Sequence, residues 1–165
     1  MSLLAKRIET VANIGIIVVA ILVGIAAVRY FRAKPSNSPQ PTIAAGTKVN
    51  LPNEDWAKNR KTLLLALSTQ CKYCSASAGF YQRLIQTASP NTRLVAVLPQ
   101  PRDASAEYLS GLKVTIDDIQ QVSPPSLGVS ATPTLILVDG AGAVVKSWIG
   151  QLPHDKEEEV LAAVR

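Results

Sequence analysis

Cysteine is almost absent from this chain of 165 residues: it has two, Cys71 and Cys74, three positions apart. A framework of structural disulfides needs more cysteines at wider spacing, so that class of scaffold is excluded. One close pair in a domain large enough to bury its own core points to redox or metal chemistry instead. Histidine occurs once, as His154 in Leu152-Pro153-His154-Asp155. Its expected place is a surface loop or the start of a helix, and a metal site would have only this imidazole to draw on. No internal repeat is evident.

Charge is missing from Val11 to Val28, where Asn13 is the only polar side chain. A helix needs about 20 apolar residues, and at least about 17, to cross a bilayer core. The run meets that, with Tyr30 and Phe31 at its interface. The apolar core of a cleaved signal peptide is shorter and ends at small residues, whereas Arg29-Tyr30-Phe31-Arg32 follows here. The expectation is an uncleaved anchor over 11–30, after an N-terminal tail of 1–10. Pro35-Ser36-Asn37-Ser38-Pro39-Gln40-Pro41 forbids a helix or a core and predicts a stiff spacer within a linker of 31–45.

The net charge of +5 does not indicate nucleic-acid binding, because of where it lies. Residues 1–42 carry Lys6, Arg7, Arg29, Arg32 and Lys34 against Glu9, and the remainder is nearly balanced at 12 basic to 11 acidic. The basic excess flanks the apolar run, as interfacial anchors do. Because it lies on both sides, charge gives no orientation.

From residue 46 to 165 the pattern alternates. Thr62 to Ser68 is a continuous apolar run, as in a strand buried on both faces. Ser75 to Ala88 reads as one helix, with Phe80, Leu84 and Ala88 on a stripe and Tyr81 and Ile85 beside it. Arg93 to Leu98 predicts a strand. Asp103 to Leu112 predicts a short helix capped by Asp103 or Ser105, and Val114 to Ile116 a brief strand. Thr134 to Val138 and Ala143 to Ile149 predict a hairpin around Asp139-Gly140-Ala141-Gly142. Asp155 to Val164 predicts a closing helix, with Glu157, Glu158 and Glu159 on its solvated face. Trp56 and Trp148 are expected to be packing residues. Together these imply a three-layer α/β domain with a mixed sheet.

Cys71-Lys72-Tyr73-Cys74 falls between a buried strand and a helix. A thiolate at Cys71 would meet the unpaired N–H groups of a helix start, which lowers a thiol pKa. Cys74, one turn further on, is placed to attack a mixed disulfide formed at Cys71. The segment resembles the thioredoxin superfamily, and more closely its membrane-tethered TlpA/ResA-like branch. Gly46 to Leu51 resembles the family's leading strand. Gly128-Val129-Ser130-Ala131-Thr132-Pro133-Thr134 resembles its cis-proline segment, and Asp139-Gly140 with Trp148-Ile149-Gly150 completes the order. The resemblance implies a thioredoxin-like sandwich behind one transmembrane helix, and a thiol–disulfide oxidoreductase that reduces protein disulfides. It implies no cofactor beyond a redox-active disulfide, an upstream thiol donor as partner, and a domain that is periplasmic or otherwise extracytoplasmic. It also implies that the Thr132–Pro133 bond is cis and lies against the cysteines. Lys72, Tyr73, Thr132 and Pro133 would then contact substrate, the backbone of Thr132 pairing with a substrate strand.

The departures are specific. Leu65 stands where a buried acid is usual, Ser77 where some relatives carry Glu, Gln70 in place of Trp, and Lys72-Tyr73 in place of a proline-containing loop. No side chain is identified as the base for Cys74. A copper chaperone of the Sco type is the alternative, with the two thiolates and His154 as ligands, although those proteins normally carry CxxxC. A peroxiredoxin-like reading lacks its Thr-x-x-Cys, since Thr69 stands two residues before Cys71.

Overall fold

The computed structural model describes residues 15–17, 19–24, 43–52, 54–116 and 118–165. It divides into two units, Met1–Pro39 and Gln40–Arg165. In the first, residues 15–17 and 19–24 are helical, and Ile16, Ile17, Val19, Ile21, Leu22 and Val23 are exposed. Among the described residues no helix is long and apolar enough to cross a membrane. The remainder of the expected anchor, the tail before it and the linker up to residue 42 lie outside the described residues.

The second unit is built on five strands: β1 (Lys61–Ala66), β2 (Thr92–Leu98), β3 (Asp118–Gln121), β4 (Thr134–Asp139) and β5 (Val144–Ile149). Their order across the sheet is β3-β2-β1-β4-β5. β1–β2 and β2–β3 are parallel, while β1–β4 and β4–β5 are antiparallel. The helices are α1 (Lys72–Ala76), α2 (Ala78–Thr87), α3 (Arg102–Gly111) and α4 (His154–Val164).

β1 is central, and its leucines are buried on both faces as the continuous apolar run requires. Leu63, Leu64, Leu65 and Leu67 are all 0 % exposed, each contributing about 1.5–3 kcal/mol by burial. Alternation splits them between two cores. Leu63, Leu65 and Leu67 join Phe80, Leu84, Leu109 and Leu161. Leu64 and Ala66 join Val49, Leu51, Leu127 and Ile136 on the opposite face.

The two faces are covered differently. The chain steps from β1 to β2 to β3 in one direction across the sheet, and right-handed crossovers in one direction place both helices on one side. Leu84 of α2 and Leu109 of α3 accordingly share a core. The second face has no helix over it from these crossovers. Residues 43–51 and a 3-10 turn at Pro124–Leu127 cover it instead.

Several elements differ from the sequence expectation. The leading strand over Gly46–Leu51 shrinks to an isolated bridge, Lys48 with Ala143, plus backbone bonds that tie the segment to the hairpin. The expected helix from Ser75 to Ala88 starts earlier and breaks at Ser77, whose hydroxyl donates to the Tyr73 carbonyl at 2.9 Å. Such back-bonding competes with the helix ladder and bends it. α3 begins at Arg102 after Pro101, without a side-chain cap; Ser105 is buried and its hydroxyl donates to the Gln100 carbonyl. The brief strand at Val114–Ile116 is not formed. Both side chains are core residues of the connection, and the ladder begins at Asp118.

Glu157 and Glu159 are not simply solvated. Glu157 pairs with Arg83 of α2, while Glu159 accepts from Trp148 Nε1 at 3.2 Å and pairs with Lys146 and Lys156. The hydrogen bonds from Lys146 and Lys156 hold the Glu159 carboxyl down at about 2.

The β4–β5 hairpin turns on Asp139, whose Oδ1 accepts from the N–H of Ala141 and of Ala143, both at 2.9 Å. Gly142 has φ +76, and a Cβ there would lie 2.7 Å from the Trp56 ring. Gly142→Ala should therefore lower stability by about 2 kcal/mol, from overpacking and left-handed strain together. Urea unfolding checks this: the midpoint should fall with the slope unchanged.

Candidate redox site

The site lies where β1 runs out. Leu67 N–H still bonds the Val97 carbonyl at 2.9 Å, after which Ser68-Thr69-Gln70 turns the chain. Cys71 N–H donates to the Ser68 carbonyl at 3.1 Å, closing the turn. Gln100, two residues past β2, steadies this turn: its Oε1 accepts from Thr69 N–H and its Nε2 donates to Ser68 Oγ, both at 3.4 Å.

Cys71 is the N-cap residue of α1, with φ −91 and ψ 109, and its carbonyl accepts from Cys74 N–H at 3.0 Å. The N-cap side chain is the group that can accept from the first free N–H groups of a helix. Here that group is a half-exposed sulfur. Its thiol donates to the Thr132 carbonyl at 3.1 Å. The Thr132–Pro133 bond is cis. The loop is pinned on either side: Thr134 Oγ1 donates to the Ala131 carbonyl and Gly150 N–H to the Pro133 carbonyl, both at 2.7 Å.

Cys74 lies in the core cluster with Leu65, Phe80 and Tyr81, against which Cys71 packs, and is 0 % exposed. Burial, reinforced by the neighbouring Cys71 sulfur, pushes its pKa up to about 12. At Cys71 burial also raises the pKa, but it is outweighed. The Thr132 side chain, the Cys74 thiol and the N–H groups of Cys74 and Tyr73 all favour the thiolate, and the net shift is downward. The Thr132 carbonyl accepts only from the protonated form, so that one contact works the other way.

The other expected contact residues lie around Cys71. Lys72 and Tyr73 are exposed, with the ammonium 4.9 Å from the Tyr73 ring centre. Thr132 is half-buried and Pro133 buried. His154 is exposed and opens α4. Among the described residues no group of three or more His, Cys, Asp and Glu could hold a metal.

Sequence reasoning missed Ser68 and Gln100, which shape the turn, and two tyrosines behind it. Tyr108 of α3 shares a 3.1 Å hydrogen bond with Ser75 of α1. Tyr81 is 1 % exposed and its hydroxyl has no partner among the described residues. Burying such a group unpaired costs about 1–3 kcal/mol. The sequence placed Tyr81 beside the apolar stripe of the helix and gave no sign of an unpaired hydroxyl. Nothing in the sequence links Tyr108 to Ser75.

No protein-family model matches the chain, and no curated protein does. Solved structures do match, and they place the chain in the thioredoxin-like α/β class with a mixed five-stranded sheet. A chain from Chlorobium tepidum named as the thiol:disulfide interchange protein DsbE is 22% identical with a TM-score of 0.56, over 74% of this chain and 98% of that one. The thioredoxin domain of a thiol–disulfide oxidoreductase from Bacteroides vulgatus is 16% identical with a TM-score of 0.55, over 74% and 99%. StoA from Bacillus subtilis is 19% identical with a TM-score of 0.52, over 72% and 95%. At these identities the likeness establishes the fold.

The opposite shifts of the two thiols predict how they alkylate. Only thiolate reacts, so Cys71 should label with iodoacetamide at a rate that rises through a midpoint below the ordinary thiol value of 9.0. Cys74 should stay unlabelled in the folded protein until pH approaches about 12. Mass spectrometry across a pH series checks the order.

Proposed function

We propose that this protein is a membrane-anchored thiol–disulfide oxidoreductase that reduces protein disulfides outside the cytoplasm. The observation that carries this reading is the asymmetry of the pair. Cys71 is reachable, sits at a helix start and touches the cis-proline loop, while Cys74 is sealed behind it.

In the proposed reaction the Cys71 thiolate attacks one sulfur of a substrate disulfide. The Cys71–substrate S–S bond forms, the substrate S–S bond breaks, and the first substrate thiolate leaves. Cys74 then loses its proton and attacks Cys71 Sγ. A Cys71–Cys74 disulfide forms and the second substrate thiolate departs, so two electrons have passed to the substrate. An upstream thiol donor restores the dithiol. The redox-active pair is the only redox group the scheme needs. Lys72, Tyr73, Thr132 and Pro133 form the contact surface, and a substrate strand pairing with Thr132 would compete with the Cys71 thiol for its carbonyl.

The exposed apolar helix segment around Ile16 to Val23 and the uncharged run of 11–28 support the anchor. The names of two structural neighbours, a thiol:disulfide interchange protein and a thiol–disulfide oxidoreductase, support the chemistry. No observation favours the copper alternative.

Two experiments test this reading. Incubated with a disulfide-bonded protein, Cys74→Ser should accumulate a mixed disulfide at Cys71, visible on a non-reducing gel, and Cys71→Ser should trap nothing. Full exchange activity in both variants would reject the division of labour. In a flotation gradient the full chain should rise with phospholipid vesicles, and a chain lacking residues 1–30 should remain at the bottom; equal behaviour of the two would reject the anchor.

A further inference from the structure

We propose that Gln100 is a positioning residue for Cys71: its side-chain amide holds the Ser68-Thr69-Gln70 turn shut, so that the Cys71 sulfur stays between the start of α1 and the Thr132 carbonyl. The inference rests on the dithiol reading above and adds a residue to it. The turn and Cys71 present three successive backbone N–H groups, and such groups seldom go unpaired in a folded chain. Two are satisfied from within. Gln70 N–H donates to Ser68 Oγ at 3.4 Å, and Cys71 N–H to the Ser68 carbonyl at 3.1 Å. The third, Thr69 N–H, reaches out of the turn to Gln100 Oε1 at 3.4 Å.

The orientation of the amide is set by what it faces. A backbone N–H can only donate, so the Gln100 oxygen lies towards Thr69, and its nitrogen then donates to Ser68 Oγ at 3.4 Å. Each bond is long and therefore weak singly. The two converge on one half-buried side chain and hold adjacent residues of the turn. The backbone beneath is itself anchored. Val122 N–H donates to the Leu98 carbonyl at 2.8 Å, and the hydroxyl of Ser105, fully buried in α3, donates to the Gln100 carbonyl at 3.2 Å. Gln100 thus joins the turn to β2 and α3, two elements outside it.

What this controls is the reacting atom. Cys71 is the residue immediately after the turn, and it caps α1. The N–H groups of Tyr73 and Cys74 that favour its thiolate belong to α1, while its own N–H is tied to the turn. The sulfur keeps both the helix start and Thr132 only while turn and helix hold their relative places. An open turn lets Cys71 swing away from both. Gln100 acts through the turn, since both of its side-chain bonds end on Ser68 and Thr69.

The test is Gln100→Met in the full chain, solubilised in detergent; it keeps the length of the side chain and removes both bonds. Iodoacetamide labelling of Cys71, followed by mass spectrometry across a pH series, gives the midpoint and the rate. The midpoint should rise towards the ordinary thiol value of 9.0, and labelling at neutral pH should slow about threefold as the thiolate fraction falls. Ser68→Ala keeps the carbonyl and removes the hydroxyl, and should move the midpoint in the same direction. In the double variant the two effects should fall short of their sum, because one turn carries both. An unchanged midpoint in Gln100→Met overturns the inference even if the melting temperature drops, since a merely structural role lowers stability and leaves the pH profile alone. Effects that add in full overturn it as well. If Gln100→Met does not fold, an unchanged midpoint in Ser68→Ala has the same force. Labelling needs no disulfide exchange, so a wild-type protein that exchanges with no disulfide substrate would reject the dithiol reading while the labelling still decides the role of Gln100.

Discussion

The antiparallel pairing of β1 with β4 is the constraint on which the site depends. Its register runs from Lys61 opposite Asp139 to Ala66 opposite Thr134. Five residues past Ala66 stands Cys71, and just before Thr134 stand Thr132 and Pro133. The ladder thus delivers a helix start and a proline loop to the same end of the sheet, where the Cys71 thiol meets the Thr132 carbonyl. The same register decides which leucines face the helices. A slip of one residue would turn Leu63, Leu65 and Leu67 to the other face and separate the two halves of the site. Core and chemistry are specified by one set of backbone bonds.

How much of this was legible in the sequence follows from the range of each interaction. The buried strands, the hairpin at Asp139–Gly142, the closing helix and the cysteine motif at a strand–helix junction are written in local patterns, and the structure carries each. The cis bond at Pro133 was implied by resemblance, not by periodicity. What the sequence hid is long-range. Ser77 gave no sign of a break because its hydroxyl bond to Tyr73 competes with a helix that propensity alone supports. The edge strand moved from Val114–Ile116 to Asp118 because β2 offers its partners there, Val95 opposite Asp118 onward. Gly46–Leu51 matched a strand by likeness, yet its apolar side chains serve better as a cover for the sheet face that receives no crossover helix.

Two buried hydroxyls lack partners among the described residues, Thr62 Oγ1 and Tyr81 Oη, and their settings differ. Thr62 lies at the start of β1, far along the strand from the cysteines, where a β-branched residue fits the pleated, crowded surface and its shape accounts for its presence. Tyr81 gains nothing comparable from its oxygen. Phenylalanine would fill the same volume without the desolvation cost.

Burying Cys74 has a kinetic cost that the proposed reaction must absorb. With its pKa at about 12, only about one molecule in 10⁵ carries the Cys74 thiolate at neutral pH. Two effects offset this. Nucleophilicity rises with basicity, with a Brønsted coefficient of about 0.4–0.5, so a thiolate about three units more basic than an ordinary one attacks roughly twentyfold faster. More importantly, the electrophile is the sulfur one helical turn away, and effective molarities for well-oriented intramolecular attack reach about 10⁵ M or more. The product of the two exceeds the ionisation penalty against any millimolar external thiol. Burial, in return, denies Cys74 to every electrophile except the one held on Cys71. In the proposed reaction the order of events then follows from access: substrate would enter at the half-exposed Cys71, and a mixed disulfide formed there would draw the buried Cys74 into reaction.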